Sequence, residues 1–324
     1  MKAAQYVSQG KIEFVEIPDP TPNDGEIVVQ LDKGTVCGSD VFELYYQPKE
    51  QFPKKPGASG HEIVGTVVSA NSGGLRPEDR VLVIPPNFDG WVEYLSVTPN
   101  WLVPIPDVLP TEHGLMAQLL GCVIWALKKA PNLTDKNVAV IGQGPAGLLF
   151  TKLLSNMGAR RVIGLDLEDY RLEVAKQMGA TDVLNNSGRD SAQTAEFVRD
   201  VTEGGMADYV IEVVGLDETV NLASDLGREF ADLLIFGIPK TQHYSLDFWN
   251  ILRKQQALVT TVGTQAEPNL QSFRLGMQMI ADGRVDVSPL LTHHLPFESL
   301  PKALELAHKR KDGAVKVVVD ISGE

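Results

Sequence analysis

Alternating apolar and polar positions dominate the first third of the chain. IEFVEIP, EIVVQLDKGTV, EIVGTVV, RVLVIP and WVEYLSV are β-rich runs parted by Pro, Gly, Asn and Asp clusters. They predict short strands joined by turns, folded as a compact β-rich barrel or sandwich. The texture changes near Leu115. LMAQLLGCVIWALKKA has helical length and a basic end, and Pro131 follows as a stop. Beyond it VAVIG, RVIGLDL, DYVIEVVG, DLLIFGI and ALVTTVG alternate with helical segments such as LLFTKLLSNMG, YRLEVAKQMG and SAQTAEFVRDVTEG. Such alternation predicts a doubly wound parallel sheet with helices on both faces. After Gly263 come a helix (NLQSFRLGMQMIADG), strand-like LLTHHLPF, a helix (ALELAHKRK) and a strand, AVKVVVDI. That tail is too short for a domain and is expected to rejoin the first. The α/β part, residues 120–264, would then be an insertion in a β-rich domain of residues 1–119 plus 265–324.

Between the strand VAVIG and the helix that follows lie Gly142, Gly144, Pro145, Ala146 and Gly147 in GxGxxG spacing. The first Gly makes a tight turn, the second admits a pyrophosphate close to the backbone, and the third lets helix pack on strand. The helix N-terminus offers free N–H groups and a positive dipole end to phosphate. The reading is therefore a Rossmann dinucleotide site. Asp166 ends the next strand, where a carboxylate accepts the adenosine ribose hydroxyls and repels a 2′-phosphate. Glu168 and Asp169 follow in place of basic residues, so the cofactor expected is NAD rather than NADP. Arg171 is a candidate for the adenine or its ribose, and equally a solvated residue of the first helical turn.

Composition narrows the partners. The chain has 324 residues, a formal net charge of −13 and a pI near 5.0, which disfavours nucleic acid and anionic membranes. The N-terminal run lacks the apolar core of a signal peptide, and no stretch has the length of a membrane span. With only two cysteines, Cys37 and Cys122, a disulfide framework is excluded, and a cytoplasmic location is expected.

Two motifs in the β-rich part add chemistry. Gly34-Thr35-Val36-Cys37-Gly38-Ser39-Asp40 follows one strand, and Gly60-His61-Glu62 opens another. Thiolate plus imidazole on strand ends suits Zn²⁺, although each alone reads better as a core residue. Taken together with VCGSD, PGASGHEIVG, EDRV, DGWVEYLSV, the glycine motif, LLTHHLPF and AVKVVVDI, these motifs make the chain resemble the zinc-type medium-chain dehydrogenase/reductase family, alcohol/polyol dehydrogenase-like. The resemblance covers nearly the whole length.

The resemblance implies a GroES-like catalytic domain around an inserted Rossmann domain. It implies Cys37 and His61 as catalytic zinc ligands, with Glu62 beside them, and Ser39 as a proton relay. Val214, Gly215, Gly237, Val262 and Thr264 would flank a nicotinamide, and Lys316 would reach the pyrophosphate. Three departures stand out. PNFDG replaces the family's four-cysteine lobe, so no structural zinc is expected. Phe42 stands where a relay His is frequent. Gln118 falls at the third metal-ligand position, where a neutral amide oxygen is a poor ligand for zinc; Cys122, one helical turn on, reads as packing. His293 and His294 match a segment without catalytic duty.

The reading is thus an NAD-dependent dehydrogenase, a homodimer or homotetramer, interconverting a secondary alcohol or polyol and its ketone by metal-assisted hydride transfer. Its rivals are a zinc-free quinone or enone reductase of the same superfamily and a non-catalytic NAD-binding protein, the latter motivated by Gln118 and Phe42.

Overall fold

The computed structural model describes residues 1–70 and 74–323. Strands β1 (Lys2–Ser8) and β2 (Lys11–Glu16) form a hairpin, followed by β3 (Ile27–Thr35) and helix α1 (Gly38–Tyr45). Then come β4 (Ile63–Ala70), β5 (Arg80–Val83), β6 (Tyr94–Val97), β7 (Leu102–Pro104) and α2 (Thr111–Leu127). The α/β part runs β8 (Asn137–Ile141), α3 (Pro145–Asn156), β9 (Arg161–Asp166), α4 (Asp169–Gln177), β10 (Asp182–Asn185), α5 (Ser191–Val201) and β11 (Ala207–Glu212). It continues with α6 (Asp217–Leu226), β12 (Gly227–Ile235), α7 (Phe248–Arg253) and β13 (Ala257–Thr260). The last stretch holds α8 (Gln271–Ala281), β14 (Leu291–Pro296), α9 (Leu300–Lys309) and β15 (Lys316–Asp320).

The chain divides into two compact units, Met1–Cys122 with Gly263–Glu324, and Val123–Val262. In the first, one sheet runs β14-β15-β3-β4-β5-β7, with β6 also on β3, and the β1–β2 hairpin stands as a separate two-stranded sheet. The tail rejoins it through β15, which pairs antiparallel with β3. Alternation along β3 puts Ile27, Val29 and Leu31 into a core with Tyr6, Ile63, Val81, Trp91 and Val319. Burying side chains of this size contributes about 1.5–3 kcal/mol each.

The second unit is a fully parallel sheet in the order β10-β9-β8-β11-β12-β13, the doubly wound order whose crevice lies where it reverses, between β8 and β11. Its strands read as continuous apolar runs because helices cover both faces; Val138, Ala139 and Val140 are wholly buried. The expected α/β class with a parallel sheet is the observed one. Helix α1 and strands β1, β7 and β10 were not evident from periodicity; β7 and β10 are only three and four residues long, and β10 has no fully buried residue.

Candidate active site

The register of two strands assembles the chemistry of the first unit. Gly34 near the end of β3 pairs with Ile63 at the start of β4, and the Thr35 N–H donates to Glu62 O at 2.9 Å. The chain leaving β3 and the chain entering β4 therefore run side by side. The Val36 N–H donates to Val317 O on β15 at 3.0 Å, which brings Lys316 to the same spot. The Cys37 sulfur, a His61 ring nitrogen and a Glu62 oxygen all lie within 4.8 Å of one another. Ligands around a zinc ion stand about 3.5 Å apart, so a small closure suffices.

The polar partners divide cleanly. Glu62 is buried; its Oε2 meets Lys316 Nζ at 2.5 Å and accepts from the Thr35 hydroxyl. Its Oε1 is buried without a partner, an orphan acceptor beside a thiol and an imidazole. That donor set, soft sulfur with nitrogen and oxygen, fits a borderline divalent cation such as zinc. His61 Nδ1 lies 3.0 Å from Ser59 O, which leaves Nε2 toward the cluster, 3.5 Å from Ser39 Oγ. Backbone contact through one ring nitrogen is how a metal-binding His is usually oriented.

Electrostatics follow from this packing. Burial works against charge on His61, yet Cys37, Asp40 and Glu62 outweigh it and push the imidazole up to about 10. A metal entering here must displace that proton. Burial would raise Glu62, but Lys316 and His61 hold it below the usual carboxylate range. Lys316 is raised in turn: burial opposes its charge and Glu62 more than offsets this. The Lys316 ammonium, on a residue only 2% exposed, is thus engaged by Glu62 rather than free to meet a phosphate.

Sequence reasoning missed Asp40. It is wholly buried, accepts from the Cys37 N–H at 2.8 Å and from Ser59 Oγ at 2.6 Å, and lies 3.9 Å from His61 Nδ1. Its place three residues after Cys37, the reciprocal position of a capping box, was the available signal. Gln118 is buried on α2. Cys122, a free thiol hydrogen-bonded to Thr264, is pushed up to about 12 by burial. Phe42 on α1 stacks on Tyr46, the residue just past the helix end, at 6.3 Å. His293 and His294 sit on edge strand β14, against Thr292 at 3.0 Å and Glu112 at 3.8 Å; neither joins the cluster.

In the second unit Gly142 turns the chain out of β8 with φ +94°. A Cβ on Gly147 would stand 1.8 Å from Gly142 O, so helix α3, starting at Pro145 after Gly144, packs there only with glycine. Ala146 follows in its first turn. Asp166 Oδ2 accepts from the Gln143 N–H at 2.6 Å, and Oδ1 from the Leu167 and Glu168 N–H groups at 2.8 and 3.0 Å. Arg171 lies beside it, 3.8 Å from Oδ2, and donates to Tyr170 Oη at 3.1 Å.

Glu212, also missed, organises the opposite rim. It is wholly buried, and its Oε1 accepts from the Val214 and Gly215 N–H groups at 2.7 and 2.9 Å and from Thr219 Oγ1 at 2.7 Å. Its main-chain oxygen takes the Phe236 and Gly237 N–H groups at 2.8 and 3.1 Å. A lone acid in the apolar run DYVIEVVG was the clue. Val262, 87% exposed, ends this unit.

Comparison with known proteins agrees with this architecture. Residues 23–107 match the alcohol dehydrogenase GroES-like domain, and residues 145–282 the zinc-binding dehydrogenase domain. Bacillus subtilis sorbitol dehydrogenase is 25% identical across 98% of this chain and 97% of its own. A Cupriavidus necator alcohol dehydrogenase is 29% identical, with 98% of each chain covered. The crystal structure of Escherichia coli galactitol-1-phosphate dehydrogenase superposes with a TM-score of 0.85 at 24% identity, covering 99% of this chain and 100% of that one. The chain belongs to the zinc-type medium-chain dehydrogenase/reductase family, alcohol/polyol dehydrogenase-like.

Proposed function

We propose that this protein is an NAD-dependent dehydrogenase that interconverts a secondary alcohol or polyol and its ketone with the help of one zinc ion. The observation that carries the reading is the convergence of Cys37, His61 and Glu62, with Glu62 Oε1 buried and unpartnered. These three residues would hold the zinc, and Gln118 is the fourth candidate. Zinc would supply Lewis-acid chemistry that lowers the pKa of an alcohol hydroxyl, and a nicotinamide cofactor would supply the hydride acceptor.

The protein's own residues do the rest. Ser39 Oγ, beside His61, takes up the hydroxyl proton and releases it to solvent. Asp40 fixes the Cys37 backbone and the orientation of His61. Lys316 balances Glu62, so the buried cluster is not overloaded with negative charge. On the second unit, the Gly142–Gly147 loop and the α3 N-terminus receive the pyrophosphate. Asp166 receives the ribose hydroxyls, which supports NAD over NADP. Glu212 sets the Val214-Gly215 and Gly237 backbone against which the nicotinamide would lie. Cytoplasmic location belongs to the same reading, as does assembly into homodimers or homotetramers. Edge strand β13 with exposed Leu258, and helix α7 with exposed Phe248, Trp249 and Leu252, support the latter. No described helix is long and apolar enough to cross a membrane.

The test is metal content together with turnover. Wild-type protein is expected to hold one zinc and form NADH from alcohols. Cys37→Ser and His61→Ala should lose zinc and turnover while NADH binding, followed by fluorescence, is unchanged. Full activity in both variants would refute the metal mechanism. Alcohol-dependent NADH formation by metal-free protein would favour a zinc-free reductase, and no turnover with any alcohol a non-catalytic NAD binder.

A further inference from the structure

The turn between β5 and β6 places one side chain against the candidate metal centre in an unusual way. Phe88 has φ +53°, a left-handed conformation that costs a non-glycine residue about 1 kcal/mol or more. Its ring packs edge-on to that of His61, centroids 5.3 Å apart at 67°. Yet Phe88 remains 42% exposed whereas His61 is 8% exposed. A ring that served only to fill core would be enclosed, and a turn that needed only its shape would be better served by Gly or Asn.

The turn is held rigidly. The Phe88 N–H donates to Pro85 O at 3.2 Å. The Gly90 and Trp91 N–H groups reach back to Gly60 O and Gly57 O, both at 2.9 Å. It is thereby stapled to the segment that carries His61, and the strain buys a fixed hydrocarbon face at the metal ligand.

We infer that Phe88 is a specificity-determining residue, forming an apolar wall beside His61 that selects secondary alcohols bearing an alkyl or aryl substituent over fully hydroxylated polyols. This rests on the dehydrogenase reading above and narrows its substrate class. Hydroxyls laid against the phenyl ring would lose their water partners without replacement. An apolar surface rejects added hydroxyls by up to about 100-fold.

The experiment compares 1-phenylethanol with xylitol on zinc-loaded wild-type protein and on Phe88→Asn, Phe88→Gly and Phe88→Tyr. Asn and Gly accept the left-handed turn without the ring, so their melting temperatures should equal or exceed that of the wild type. Wild type should favour 1-phenylethanol in kcat/KM. That preference should fall roughly 10–100-fold in the Asn and Gly variants, chiefly through KM, and survive in Phe88→Tyr. Calorimetric binding of 1-phenylethanol, which needs no turnover, should weaken in the same two variants. A wild type that prefers xylitol, or an unchanged preference in both ring-free variants, would overturn the inference. Should no alcohol be oxidised while 1-phenylethanol still binds in a Phe88-dependent way, the wall stands and the dehydrogenase reading fails.

Discussion

Lys316→Met removes one half of a buried ion pair and leaves the other half in place. In the intact protein Lys316 and Glu62 are 2% and 1% exposed, with Nζ and Oε2 2.5 Å apart. Without the ammonium, Glu62 loses its directly paired cation and keeps the Thr35 hydroxyl as a donor, with the His61 imidazole as the nearby positive charge. A buried charge stripped of its partner costs about 3–5 kcal/mol. For a unit of this size that lowers the melting temperature by roughly 6–20 °C, at 2–4 °C per kcal/mol. The measurement is calorimetry and urea unfolding of metal-stripped protein. Adding Glu62→Gln to Lys316→Met should restore part of the loss, a coupling of about 1–3 kcal/mol. Zinc should also narrow the gap between wild type and Lys316→Met, because a cation beside Glu62 replaces the missing charge. A loss below about 1 kcal/mol in the single variant, or strict additivity in the double, would refute the account of Glu62 as a charge balanced by Lys316.

Two further outcomes test the second unit. Gly147→Ala forces a methyl toward Gly142 O, an overpacking of about 1–3 kcal/mol; NADH affinity by fluorescence titration should fall roughly 5–150-fold with the fold retained. Asp208 accepts from the Asn137 N–H at 2.9 Å and from Arg228 Nε at 2.8 Å. Burial opposes its charge, but these donors and Lys136 hold the carboxyl below its usual range. Its folded pKa is thus depressed, so the stability it contributes is present above the unfolded value near 4 and is lost as pH falls through the folded one. Asp208→Asn should therefore cost about 1 kcal/mol at neutral pH, discounted for partial exposure, and the gap to wild type should vanish in acid. Urea midpoints across pH 2–7 check this, and a pH-independent gap would contradict it.

What the sequence disclosed depended on how local each feature is. The glycine turn and Asp166 lie within one strand–helix–strand stretch, so spacing alone exposed them. Cys37 and His61 each read singly as core residues and were joined as ligands only through the resemblance, because their meeting is a consequence of the Gly34–Ile63 register, which no local pattern encodes. The Lys316–Glu62 pair is less visible still, because it joins opposite ends of the chain through β15. Lys316 was expected at the pyrophosphate from the resemblance, which gave no sign of its buried partner Glu62. Phe88 escaped notice for a related reason: its turn looked like plain punctuation until the ring was seen to lie on His61.

The Asp166–Gln143 bond bears on any attempt to retune the cofactor. The same carboxylate proposed to receive the ribose also anchors, at 2.6 Å, the backbone of the residue between Gly142 and Gly144. Gln143 is itself locked, donating to Val140 O at 3.2 Å and accepting from Thr151 Oγ1 at 2.9 Å. Replacing Asp166 to admit a 2′-phosphate would thus loosen the pyrophosphate cradle along with the ribose contact. An engineer seeking NADP use would keep Asp166 and work outward, at Leu167, Glu168 and Asp169, where the chain can accept positive charge without disturbing the loop.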